Sequence, residues 1–335
     1  MADTRGARTG QVIGAVLLAT PFLLGAAAVP DGQRAKVVTR FQDPEIIESS
    51  GLVVADDLAV TTNDSGDSGR IFTVSLKTGR TVGVTRWSGE PEDVEALAPA
   101  GDGEVWVADI GDNTESRSSV EVARVPYGDQ DREVDADVVE LSYPDGAHDA
   151  ESLLTHPRTG QLFVVSKAFL GGTVYAAPRE LVPGKTHQMR ASGSVLGMAT
   201  DAAFFPDGKH LIVRSYGRAV VYTWPSLAVV GGFGLPAQEQ GEGVAVSPAG
   251  AVFLSSEGVQ APLLRLNLPR EVRRAVTPPA PTPSESPEDS PSTKPRDEAP
   301  DGDEQAASRE AWPWVVGTAF GIAALVVLVR SLRPR

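Results

Sequence analysis

The stretch Glu95-Ala96-Leu97-Ala98, Pro99 to Gly103, Glu104 to Ile110 (EALAPAGDGEVWVADI) places an acidic residue at the start of a short apolar strand. A Pro/Gly turn and a second apolar strand follow. The same order recurs at Glu151-Ser152-Leu153 with Pro157 to Gly160, and at Asp201-Ala202-Ala203 with Pro206-Asp207-Gly208. It recurs again at Glu242-Gly243-Val244 with Pro248-Ala249-Gly250. A weaker copy starts at Ser50-Gly51-Leu52 and turns at Asp56-Asp57. Small antiparallel meanders repeating every ~40 to 55 residues are the sequence mark of a β-propeller.

Within the best copy the pattern predicts strands at 95–98, 104–110, 120–125 and 138–143. Further second strands are expected at 58–62, 162–166, 210–214 and 251–255, and further third strands at 70–75, 173–177, 219–224 and 263–266. No helical periodicity is read anywhere in this body. The last unit lacks a fourth strand, whereas Lys36 to Phe41 is a strand-like segment with no unit of its own. Pairing it into the last unit closes the ring and removes two open sheet edges. The expected fold is therefore all-β, a five-bladed propeller closed by its N-terminal strand. Six blades are the alternative, because the spacing from Glu95 to Glu151 has room for extra strands.

The flanks predict a tethered, exported chain. Arg5 and Arg8 precede an apolar run from Val12 to Val29 that holds Ala26-Ala27-Ala28, the pattern of a signal peptide spanning 1–28. An uncleaved anchor is the competing reading. Residues 277–310 are rich in Pro, Ser, Thr, Glu and Asp, a composition that cannot bury enough surface to order itself. Such a stalk, at ~3.1 Å per residue, would reach on the order of 100 Å. Residues 312–329 carry no charge and are long enough to cross a bilayer, which predicts a transmembrane helix. Arg330, Arg333 and Arg335 mark 330–335 as a cytoplasmic basic tail and leave the propeller, 36–276, outside the cell.

Zero cysteines exclude disulfides and thiolate metal sites, and a net charge of −14 argues against nucleic acid as a partner. The four histidines, His148, His156, His187 and His210, show no zinc-ligand spacing. Gly66-Asp67-Ser68-Gly69 resembles the nucleophile loop of trypsin-like proteases, but Arg70 follows it and every histidine lies downstream. A hairpin turn is the better reading.

In a meander the start of the first strand and the end of the second lie at the same end of the sheet. Glu95, Glu151, Asp201 and Glu242 should therefore ring one mouth of the central channel. The loops after the second strands bring Asn63, Asp64, Asp109, Asp112, Asn113, Lys167, Arg214 and Glu257 to that mouth. Gathered carboxylates repel one another unless a cation or a basic side chain compensates. Calcium binds through oxygen and needs neither Cys nor His. The alternative is structural, with each acid capping backbone N–H groups at its own blade start.

The segments 148–153 (His148-Asp149-Ala150-Glu151-Ser152-Leu153) and 92–97 (Glu92-Asp93-Val94-Glu95-Ala96-Leu97) resemble blade openings of phytase-like and esterase-like β-propellers. That resemblance implies a calcium-loaded acidic mouth acting on a phosphoester, with Glu95, Asp149 and Glu151 matched to the acidic metal positions. The chain departs from it in having few basic residues for an anionic substrate, namely Lys167, Arg214 and Arg218.

The first reading is a monomeric, membrane-anchored extracellular propeller that binds a small molecule or an extracellular protein at its acidic mouth. Calcium is the candidate cofactor, held by Glu95, Asp109, Asp112, Asn113, Asp149 and Glu151. Asn63, Asp64, Lys167, Asp201, Arg214, Glu242 and Glu257 are the candidate ligand contacts. The alternatives are a calcium-dependent hydrolase with His148 or Glu151 as base, and a surface module without a site. Trp87, Trp106, Tyr216 and Trp224 are read as core.

Overall fold

The computed structural model describes residues 35–64 and 66–277. The chain divides into two units, Met1–Ala280 and Pro281–Arg335, and every described residue belongs to the first. The expected leader, most of the stalk, the membrane helix and the basic tail lie outside the described residues. Among the described residues no helix is long and apolar enough to cross a membrane.

The strands form five sheets, one per blade. Blade one is β2 (Ser49–Ala55), β3 (Leu58–Asn63), β4 (Arg70–Ser75) and β5 (Thr81–Trp87). Blade two is β6 (Val94–Gly101), β7 (Glu104–Asp109), β8 (Val120–Pro126) and β10 (Asp137–Ser142). Blade three is β11 (Ala150–Thr155), β12 (Leu162–Ser166), β13 (Gly172–Ala176) and β15 (Arg190–Val195). Blade four is β16 (Asp201–Phe204), β17 (His210–Arg214), β18 (Arg218–Thr223) and β19 (Val229–Gly234). Blade five is β20 (Val244–Val246), β21 (Val252–Leu254), β22 (Pro262–Leu266) and the N-terminal strand β1 (Ala35–Arg40). β1 runs antiparallel to β22, from Ala35 opposite Leu266 to Arg40 opposite Pro262. The expected closure is thus observed, with five blades and not six.

Three elements were not foreseen. β9 (Arg132–Val134) leaves blade two to pair in parallel with β5 of blade one. β14 (Thr186–Gln188) likewise leaves blade three to pair with β10 of blade two. These short strands cover outer edges that would otherwise stay open. The third element corrects the expectation of a helix-free body, because Arg270–Val276 forms a helical turn, α1. Val272 and Val276, four residues apart, are its buried face and join the core between blades four and five.

Five hydrophobic clusters fill the five interfaces between neighbouring blades. Successive side chains along a strand point to opposite faces. Leu162 and Val164 of β12 accordingly pack toward blade two, while Phe163 and Val165 pack toward blade four. Because both faces are buried, the strands read as continuous apolar runs rather than as alternating ones. The inner strands β2, β6, β11, β16 and β20 pack in a ring. Their crowding explains the small residue after each opening position, Gly51, Ala96, Ser152, Ala202 and Gly243. A Cβ on Gly243 would stand 2.3 Å from Ser255 Oγ and 2.8 Å from Leu52 Cβ.

The two ends of the channel differ in chemistry. At the turns joining first and second strands, an apolar cavity of about 460 Å³ is lined by Leu52, Leu97, Leu153, Ala203 and Val244. Thr277, the last described residue, lies with Pro206 and Pro248 of those same turns. The other end holds the charges.

Candidate functional site

The strand register brings the opening residues and the ends of the second strands together. Ser49 pairs with Asn63, Val94 with Asp109, Ala150 with Ser166, Asp201 with Arg214 and Val244 with Leu254. Several of the charged groups gathered there are spent on the backbone. Asp201, 1% exposed, accepts the Ala202 N–H at 2.8 Å and, across the blade interface, the Val244 N–H at 2.6 Å. Burial pushes its carboxyl well up, an effect that those two bonds and the Arg214 guanidinium oppose. Arg214 is fully buried and donates to the carbonyls of Gly243 at 3.0 Å and Ser255 at 3.3 Å. Burial lowers its pKa to about 10, against the pull of Glu242 and Asp201.

Asn63 is consumed in the same way. Its Oδ1 accepts the N–H groups of Ile47 and Glu48, and its Nδ2 donates to the Glu45 carbonyl and to Asp67. Asp67 also accepts from Arg70 and the Ser68 N–H, so the protease-like loop is a tied hairpin. Asp109 accepts the N–H groups of Glu92 and Asp93 and pairs with Arg117 at 2.7 Å. Asp112 accepts the Arg117 N–H at 2.7 Å, and its own N–H donates to Asp149 Oδ1 at 3.0 Å. Against some burial, the bonds to the 116–117 turn hold the Asp112 carboxyl below its usual range. Asn113 is exposed on this loop.

A second set of groups faces the channel. Asp64, Asp93 and Glu95, from blades one and two, offer carboxylate oxygens that all lie within 4.8 Å of one another. Burial first, then Asp64 and Asp93, raise Glu95 to about 9; Lys167 and the Ser50 hydroxyl, 3.2 Å from Oε2, act against the shift. Burial, then Asp64, Asp149 and Asp109, raise Asp93 to about 6, with Arg117 opposing. Glu242 is raised to about 7 by burial and by Glu257 and Asp64, opposed by Lys167 and Arg214. Glu257 is raised by burial, Asp64 and Glu48.

Lys167 is the cation common to this pool. It pairs with Glu151 Oε1 and lies 5.6 Å from the centre of the Tyr216 ring. Burial works against its charge, yet Tyr216, Glu242 and Glu95 keep its pKa raised. Glu151 is 6% exposed, and its Oε2 is buried with no hydrogen-bond partner among the described residues. His148 is engaged elsewhere. Its Nε2 lies 3.0 Å from Asp145 and 2.8 Å from the Tyr175 hydroxyl, and its ring packs edge-on against Tyr143.

Two participants escaped the sequence reading. Asp93 stands two residues before Glu95, as Asp149 stands two before Glu151, so the shared Asp-x-Glu pattern was the available signal. Tyr216, read as core, is 38% exposed over Lys167. A loop of three residues between β17 and β18 carries it, and nothing in the local pattern distinguishes that from a strand position.

No family model matches the chain, and no curated protein matches it in sequence. Among solved structures, a streptogramin B lyase matches 66% of this chain at 12% identity and a TM-score of 0.36. This chain spans 65% of the lyase chain. A glucose dehydrogenase matches 70% of this chain and 100% of its own at 13% identity and a TM-score of 0.41. Both are similarities of architecture, and neither speaks to the ligand of this chain.

Proposed function

We propose that the protein is a binding propeller displayed at the cell surface, whose acidic mouth takes a divalent cation, calcium first, together with a ligand. The observation that carries this reading is the convergence of Asp64, Asp93 and Glu95 within 4.8 Å. Two further features support it. Burial first, and neighbouring carboxylates second, raise Glu95 to about 9 and Glu242 to about 7 against the pull of Lys167. Among the described residues Glu151 keeps a buried oxygen without a hydrogen-bond partner on the same Lys167-centred pool. Donors that are all oxygen suit a hard cation, which calcium binds in flexible geometry with water completing the set. Bound there, the ion would neutralise the pool and present positive charge to oxygen atoms of a ligand.

Display at the surface rests on the leader-like and span-like segments of the sequence. The described chain ends at Thr277 beside the turns opposite the mouth.

The test is thermal unfolding of the full chain in detergent, with calcium, with magnesium and with chelator. A ligand that binds only the native state raises the midpoint with the logarithm of its concentration over its dissociation constant. The expected result is a calcium-dependent rise that Glu95→Gln abolishes. Equal midpoints in calcium and chelator would remove the cation from the mouth.

A further inference from the structure

The loops around the mouth carry exposed apolar side chains. Phe169 and Leu170, just after Lys167, are 83% and 96% exposed. Tyr216, on the loop between β17 and β18 of blade four, stands over Lys167. On another side of the mouth, Ile47 and Val259 are also exposed. They are brought together where the Gly258 N–H donates to the Ile47 carbonyl at 2.8 Å. Beside Ile47 and Val259, Glu48 and Glu257 face each other in an isolated antiparallel bridge; burial first, then neighbouring acids, raise Glu257 and Glu242, with Lys167 opposing.

We infer that this rim is a docking surface for a protein partner that offers a Lys or Arg side chain between apolar residues. The apolar residues would cover Phe169, Leu170 and Tyr216 on one side and Ile47 and Val259 on the other. The basic group would enter between Glu48 and Glu257. Exposed large apolar side chains bordered by polar groups mark an interaction surface, since two adjacent ones at a loop tip gain nothing from water. Charge complementarity selects a cationic partner and steers its approach. The same carboxylates disfavour the alternative of a loop dipping into a membrane, because they would be carried into anionic headgroups. This inference rests on the mouth being a binding site but not on a metal in it.

The experiment is selection of a random displayed peptide library against the full chain in nanodiscs, with empty nanodiscs for counter-selection and with chelator present throughout. The expected outcome is enrichment of peptides in which Lys or Arg is flanked by Leu, Phe or Trp. Their binding should weaken at least tenfold, about 1.4 kcal/mol at 25 °C, on Leu170→Asp and on Glu257→Gln. Leu170→Asp should leave the melting temperature unchanged, since its side chain is exposed, and this separates lost docking from lost fold. Enriched peptides without a basic residue, equal binding to Leu170→Asp, or no enrichment over empty nanodiscs would each overturn the inference. Leu170-dependent binding to phosphatidylcholine vesicles would overturn it in favour of a lipid surface. A calcium shift without peptide enrichment defeats the docking surface alone, and enrichment without a calcium shift defeats the metal alone.

Discussion

Replacing Asp201 by Ala removes a buried carboxyl that, beside the Thr200 hydroxyl and the Arg214 guanidinium, ties the opening of blade four to the opening of blade five. Its carboxylate takes two backbone N–H groups, from Ala202 and Val244, in surroundings that leave it 1% exposed. An Ala side chain offers those donors no acceptor. A buried donor left without a partner costs about 1–3 kcal/mol, so the pair sets an expected loss of roughly 2–6 kcal/mol. Arg214, paired opposite Asp201 in the strand register, also loses a compensating charge and pushes the loss toward the upper part of that range. For a domain of this size each kcal/mol moves the melting temperature by about 2–4 °C, which predicts a fall on the order of 10 °C. Urea unfolding followed by circular dichroism measures the same quantity independently. Asp201→Asn should lie between wild type and Ala, because the amide oxygen keeps one N–H bond while its NH2 opposes the other. An Ala variant within 1 kcal/mol of wild type would refute the reasoning, since it would mean that the cost of burying the carboxyl cancels both of its bonds.

Deleting residues 35–40 opens blade five along β22 and should lower the midpoint of the whole domain in a thermal melt; an unchanged midpoint would show that the closure contributes nothing. In chelator, Glu95→Gln should raise stability at pH 8. A carboxyl whose folded pKa is raised to about 9 stabilises below its unfolded value near 4.5 and loses that contribution as pH rises toward 9. Wild-type stability should thus decline across that window more steeply than that of the Gln variant, and parallel pH profiles would contradict the assignment. Gly111→Ala would place a Cβ 2.3 Å from Asp93 Oδ2. It should displace that carboxylate and weaken calcium binding by calorimetry, and unchanged affinity would take Asp93 out of the site.

The blades were legible because each repeats one local code, an acid or Ser, a small residue and an apolar residue, followed by a Pro/Gly turn in blades two to five and by Asp56-Asp57 in blade one. The spans 162–166 and 210–214 could be read off directly, since both faces of β12 and β17 are buried and the apolar run has sharp ends. β9 and β14 were not legible, because three-residue strands paired in parallel to another blade leave no local period. α1 was missed because Val272 and Val276 are its only buried residues and charges surround them. The mouth could be placed from the antiparallel register. Whether a given carboxylate meets a backbone N–H or the channel depends on loops from other blades. Asp109 is met by the N–H groups of Glu92 and Asp93, whereas Glu95, just beyond them, is met by other acids.

The pairing of β1 with β22 sets an order of events for the nascent chain. Among the described residues β1 is the first strand to be synthesised, yet its partner is the last, with Ala35 opposite Leu266. Blades one to four can assemble as they emerge, each from strands close in sequence. Blade five must wait for the whole domain, and until then the first strand and the final meander each present an unpaired edge. Contacts of such long separation are slow to form. Closing the ring is therefore the step at which a chaperone would have the most to protect, and at which a second copy could donate the wrong first strand.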